Sequence, residues 1–135
     1  QNRKKALKIC SDYKFNLVSA IHPTSKIMDQ ALIDPGVWIN AGAIIGYKSE
    51  IKSGILVNTR AIVEHHTILK SCCQLDPAVV VAGNVTIGEC SHLHMGSLIA
   101  NRINIGANAI VGAGSVVLSN VAANIKVAGA PAKEI

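Results

Sequence analysis

Aromatic residues are nearly missing from this 135-residue sequence, which holds one tryptophan, two tyrosines and one phenylalanine. Rings cannot fill its interior. Half of the residues are nonetheless hydrophobic, so the core must be aliphatic, and the abundance of Ile and Val favours strands over helices. Long apolar runs are missing too. None reaches the roughly 18 residues that would span a bilayer, which argues against a membrane partner. The segment Gln1 to Lys8 is polar and basic with no apolar stretch behind it, unlike a signal peptide. Cys10, Cys72, Cys73 and Cys90 form no CxxC motif and no Cys/His ligand spacing. They read as small buried thiols in a reducing cytoplasm. The formal charge of +5 owes much to Arg3, Lys4, Lys5, Lys8 and Lys14. No aromatics interleave that basic run, so it reads as a solvated helix face and not as a nucleic-acid surface.

What is present is a period of six. Every sixth residue from Ile21 to Val117 is Ile, Leu or Val, through Ile39, Val57, Leu75, Leu93 and Ile105. These types fill about three in ten positions, so an unbroken run of this length arises by chance on the order of once in a billion sequences. Four residues after each aliphatic stands something small or β-branched, such as Ser49, Ala61, Thr67 or Cys73. Three residues after it, Gly or Asn recurs, at Gly36, Gly42, Gly54, Asn84, Gly96, Asn108, Gly114 and Asn120. Both types enter the left-handed backbone region cheaply.

This pattern predicts an all-β triangular solenoid of about five to six coils, built of parallel strands roughly 4.8 Å apart. Three hexapeptides close one coil, so each residue stacks on the one 18 positions further on. The period organises the chain into three parts: an N-terminal helix and lead-in (1–20), the repeat (21–122) and a C-terminal tail (123–135). The helix is expected over Asn2 to Ser11. A short strand is expected at Phe15–Val18, and a loop over Ala128 to Lys133.

Chemistry on such a solid must come from outward side chains and free amides. His65 falls two residues after an inward aliphatic, at a corner, with Gly83 stacked 18 residues later. The missing side chain leaves room beside the imidazole, and histidine suits general-base work near neutral pH. Glu64 stands next to it and could orient it; a solvated corner histidine is the alternative. His66 falls on the left-handed position and reads as structural. His92 and His94 straddle inward Leu93 and read as surface residues. His22 reads as a cap on the first coil. Cys73 occupies an inward small position with no base beside it, which makes it a poor nucleophile.

Four segments carry a family likeness. They are Val57-Asn-Thr-Arg-Ala-Ile-Val-Glu-His-His, Leu75 to Gly88, Ile105 to Val117, and Val127-Ala-Gly-Ala-Pro-Ala-Lys. Together they resemble the hexapeptide-repeat sugar acetyltransferases of sialic-acid and bacillosamine pathways. The resemblance implies a left-handed parallel β-helix, acetyl-CoA as co-substrate with no metal, a homotrimer, and a small sugar or nucleotide-sugar acceptor. It implies His65 as catalytic base and an oxyanion-holding amide near Gly83. It places the coenzyme in a groove between subunits near Gln74, Gly83, Met95, Gly96 and Ala113, with Lys126, Pro131 and Lys133 toward its phosphates. Two departures stand out. His66 occupies a position where the family usually has Asp or Glu, and Gln74 one where it often has histidine. The family also carries an N-terminal α/β subdomain that holds the acceptor, of which residues 1–20 resemble the last helix and strand. Two other functions fit a solenoid. A non-catalytic trimeric scaffold is one. A zinc carbonic anhydrase is the other, which needs three histidines around one metal; no two histidines here are expected to share a wall at short separation.

Overall fold

The computed structural model describes residues 2–135; Gln1, counted above with the N-terminal segment, lies outside the described residues. Each hexapeptide contributes a two-residue strand. Its second residue is the periodic aliphatic and points inward, so that Ile39, Ile45, Val57, Leu75 and Leu93 are fully buried. Burying one such side chain contributes about 1.5–3 kcal/mol, and the repeat supplies one per strand from Trp38–Ile39 to Val116–Val117, whereas Ile21 and Ile27 of the first coil stay exposed. Its first residue faces outward.

The strands form three parallel walls. The first holds Ala20–Ile21, Trp38–Ile39, Leu56–Val57, Gln74–Leu75, His92–Leu93 and Ile110–Val111. The second runs from Lys26–Ile27 through Ile44–Ile45, Ile62–Val63, Val80–Val81 and Leu98–Ile99 to Val116–Val117. The third runs from Leu32–Ile33 through Glu50–Ile51, Ile68–Leu69 and Thr86–Ile87 to Asn104–Ile105. Pairing follows the expected spacing: Gln74 lies beside His92, and Ile62 beside Val80.

The corner residue three after each aliphatic has positive φ without exception from Gln30 to Gly114. Lys48, Arg60, His66, Cys72 and Ala78 adopt it as fully as the glycines do. A non-glycine residue pays about 1–2 kcal/mol for that conformation. The coil therefore imposes the turn, and the side chain merely tolerates it.

The N-terminal helix spans Asn2–Asp12, one residue beyond the expected end. It lies along the corner between the third and first walls. Leu7 packs over Gly54, Lys4 pairs with Glu89 at 2.8 Å, and Arg3 donates from Nη1 to Gln74 Oε1 at 2.8 Å and from Nη2 to the Cys72 carbonyl at 3.0 Å. Arg3 thus docks the helix, which corrects its reading as part of a solvated basic face.

Two local expectations fail. Phe15–Val18 forms no strand. Its residues do not pair with the free edge at Leu32–Ile33; instead Leu17 packs against Gly36, while Phe15 and Val18 stay exposed. The segment read as a loop over Ala128 to Lys133 is largely strand. Lys126–Gly129 pairs in parallel with Ile110–Val111, and Ala132–Glu134 folds back antiparallel on it. The open edge of the first wall offers backbone partners that outweigh the Ala/Gly composition.

Two small residues at corners make opposite demands. Ala78 has φ of 60° and an exposed side chain. At Gly46 an added Cβ would lie 2.6 Å from the Glu64 carbonyl carbon and the His65 nitrogen, both backbone. Ala78→Gly should raise stability by up to about 1 kcal/mol, strain relief being partly offset by a freer unfolded chain. Gly46→Ala should lower it by about 1–3 kcal/mol. Urea unfolding of the two variants checks both signs.

Candidate active site

His65 follows the strand Ile62–Val63 at the corner between the second and third walls. Its ring lies against the backbone of Gly83. A Cβ added at Gly83 would sit 2.5 Å from Cε1 and 2.6 Å from Nε2 of His65, so only glycine leaves the ring its place. Among the described residues nothing accepts a hydrogen bond from the Gly83 N–H. An imidazole and an unengaged amide thus share one corner, as the 18-residue spacing predicts.

Glu64 is exposed and forms no hydrogen bond to His65 among the described residues. The partner of the ring is His66, whose Nδ1 stands 3.1 Å from Nδ1 of His65. His66 has φ of 56°, as its structural reading requires, and its ring packs edge-on against Tyr47. It does more than fill the turn. If His65 donates its Nδ1–H to His66, its Nε2 keeps a free lone pair, the form a general base needs.

The remaining sequence candidates lie elsewhere on the surface. Met95, Gly96 and Ala113 occupy the opposite edge of the second wall, where the Met95 carbonyl accepts from the Gly114 N–H at 2.9 Å. No atom lies within 4 Å of a Cβ placed on Gly96, so that corner is open. Gln74 lies on the first wall. Lys126 begins the last parallel strand there, and Pro131 and Lys133 belong to the terminal hairpin; all three are exposed. One chain therefore does not bring these residues to His65. The second wall lies between, and its outward strand residues from Ile44 to Val116 are Ile44, Ile62, Val80, Leu98 and Val116. The first wall, by contrast, presents Gln74 and His92, and the third presents Glu50, Thr86 and Asn104.

His92 and His94 do not stand apart on the surface as expected. His92 Nε2 lies 2.8 Å and His94 Nδ1 3.0 Å from the same oxygen, Oδ2 of Asp76, and the two rings are 4.0 Å apart between centroids. Two histidines do share a wall, in company with a carboxylate and without a third histidine. The signal was available in the numbering, because residues 76 and 94 stand one coil apart. Desolvation pushes the Asp76 carboxyl up, yet hydrogen bonds from Gln74, His92 and His94 together hold it below the usual carboxylate value. All four cysteines are free. Burial pushes the Cys73 and Cys72 thiols up, which disfavours the thiolate a nucleophile needs.

The fit of His65 over Gly83 is testable without any ligand. The contact that a Gly83 Cβ would make is with a side chain on an exposed corner. Gly83→Ala should therefore fold with a stability loss of about 1 kcal/mol or less while the ring swings away. In the histidine ring NMR spectrum, the His65 and His66 signals should move and those of His92 and His94 should not.

No family model matches the chain, and no curated protein matches it by sequence. Solved structures do. Over 98% of its length the chain superposes on PerB from Caulobacter crescentus, solved with CoA and GDP-perosamine, with a TM-score of 0.96 and 36% identity. It superposes equally on the acetyltransferase domain of PglB from Neisseria gonorrhoeae, solved with acetyl coenzyme A, with a TM-score of 0.95 and 30% identity. The chain spans 64% of each of those two chains, a little under two thirds. The likeness settles the hand of the coil: this is a left-handed parallel β-helix. Its unbroken repeat and this agreement over nearly every residue make the chain similar in fold and sequence to the hexapeptide-repeat sugar N-acetyltransferases.

Proposed function

We propose that this chain transfers an acetyl group from acetyl-CoA to the amine of a sugar or nucleotide-sugar acceptor, with His65 as general base. The observation that carries the reading is the His65 ring seated on Gly83 beside an unengaged amide. It is supported by the relatives, one solved with CoA and GDP-perosamine and one with acetyl-CoA. In this scheme Nε2 of His65 takes a proton from the acceptor as its nitrogen attacks the thioester carbonyl directly. The Gly83 N–H holds the developing oxyanion, the kind of interaction that lowers such barriers most. The C–S bond then breaks and the departing CoA thiolate is protonated. His66 serves as the positioning partner, accepting the Nδ1–H of His65 where a carboxylate would otherwise stand. A neutral imidazole stabilises the resulting imidazolium less than a carboxylate does.

We infer further that the working form is a homotrimer in the cytoplasm. His65 lies on one edge of the second wall; Met95, Gly96 and Ala113 lie on the other, and the wall between them is aliphatic. Packing that wall against another copy would bury it and bring one chain's His65 edge to its neighbour's Met95 edge, forming one groove for the coenzyme. Lys126, Pro131 and Lys133 would then lie toward its phosphates. The free thiols fit a reducing compartment. No helix among the described residues is long and apolar enough to cross a membrane.

The test is acetyl-CoA binding by calorimetry, turnover with an amino-sugar nucleotide, and light-scattering mass on the same samples. His65→Ala should lose about 10²- to 10⁴-fold in kcat while binding acetyl-CoA as wild type does. His66→Ala should lose less and shift the pH profile of kcat. A well-folded trimer that binds no acetyl-CoA would sink the transferase reading and leave a non-catalytic scaffold.

A further inference from the structure

We propose that Asp76, His92 and His94 form a binding site for a single zinc-type divalent cation on the first wall, separate from the His65 corner. Three ligand atoms, one from each residue, lie within 4.8 Å of one another. The fold itself sets them there. His92 and His94 flank inward Leu93, so both face out from one strand, and Asp76 lies directly under His94, one coil earlier.

The groups that would hold Asp76 in place are already hydrogen-bonded in a chain to it. The other Asp76 oxygen, Oδ1, accepts from Gln74 Nε2 at 2.7 Å, and Gln74 Oε1 is held in turn by Arg3 Nη1 at 2.8 Å. A carboxylate fixed through its far oxygen is the arrangement that orients a metal ligand. The near oxygen, Oδ2, meets both imidazoles at once. Without a cation, both rings must carry their proton on the nitrogen facing Asp76, which uses one carboxylate oxygen twice. A cation between the three takes the two nitrogen lone pairs and the carboxylate charge together.

The dimensions suit zinc. Ligand bonds of about 2.0–2.1 Å in a tetrahedron put neighbouring ligands about 3.3 Å apart. The ring nitrogens stand 2.8 and 3.0 Å from Oδ2, so small side-chain shifts would admit the ion. Two imidazoles with one carboxylate favour Zn²⁺ or Co²⁺ over the hard cations Mg²⁺ and Ca²⁺. The site is accessible yet sheltered: the side chains of His92, His94 and Asp76 retain 32%, 39% and 14% of their exposure. The exposure of both rings leaves a fourth position open to a solvent water.

The experiment is Co²⁺ titration of the full chain followed by visible spectroscopy, with Zn²⁺ calorimetry in parallel. One equivalent per chain should bind, giving tetrahedral cobalt d–d bands without a thiolate charge-transfer band. Asp76→Asn and His94→Ala should each weaken binding at least about 100-fold, and Gln74→Ala about 10-fold, as loss of an outer-shell partner does. His65→Ala/His66→Ala should leave the spectrum unchanged. Circular dichroism confirms that each variant is folded; Asp76→Asn, the most conservative, decides if the others are not. Absence of stoichiometric uptake by the wild type would overturn the proposal. So would a charge-transfer band, which would assign the ion to Cys72 or Cys90, or a signal lost with His65 and His66 and kept without Asp76.

Discussion

Everything in this molecule depends on one repeat distance. Each strand hydrogen-bonds to the strand 18 residues away, as Ile62 N–H does to the Val79 carbonyl at 2.8 Å, and this contact recurs on all three walls. A side chain's neighbours above and below are therefore set by arithmetic. A coil one residue longer would move its aliphatics from the interior to the surface, as any register slip in a sheet does. That penalty explains why the left-handed corner is kept even where Lys48, Arg60 or His66 must adopt it.

The same arithmetic shows what could be read before the structure was known. The inward series, the corners and the placement of His65 over Gly83 all follow from the period. Asp76 under His94, and Gln74 beside His92, follow from it equally well. They escape notice because histidines flanking a core leucine look like ordinary surface residues until the acidic residue one coil earlier is considered. Elements outside the period were less legible. Phe15–Val18 has strand-forming residues, yet the packing of Leu17 on Gly36 takes the place of pairing with the free Leu32–Ile33 edge. The tail after Lys126 has poor strand composition but an edge waiting for it. Arg3 lies in a basic run whose charge pattern gives no hint that one guanidinium reaches 71 positions along the chain to Gln74. Long-range docking of a helix leaves no periodic trace.

A solenoid has little interior for polar groups, so the polar groups it carries must be tied to one another or face a partner. Both solutions occur here. Asp76, His92, His94, Gln74 and Arg3 are tied to one another on the first wall, with buried Arg3 Nε left without a partner among the described residues. The second wall has no such network and presents aliphatic side chains outward, with Ile44 36% exposed and Leu98 44%. An apolar face of this extent on a small protein is the mark of an interaction surface. It divides the residues that the resemblance assigns to one coenzyme site, and a second copy can reunite them.

The corner we propose as catalytic also needs rigidity, because a base displaced by about 1 Å can lose 10²-fold in rate. The core beneath it supplies that rigidity. Buried Ser49 donates from Oγ to the Glu64 carbonyl at 2.9 Å, and buried Thr67 donates from Oγ1 to the Ala82 carbonyl at 2.9 Å. Each hydroxyl also accepts from the following coil, Ser49 from the Thr67 N–H at 3.4 Å and Thr67 from the Val85 N–H at 3.3 Å. These bonds clamp the residue before His65 and the residue before Gly83. Both hydroxyls are satisfied inside the aliphatic core, as burial of a polar group demands, whereas that of buried Ser97 finds no partner among the described residues. Here they fix the two backbone segments that must meet for the imidazole and the amide to share a corner.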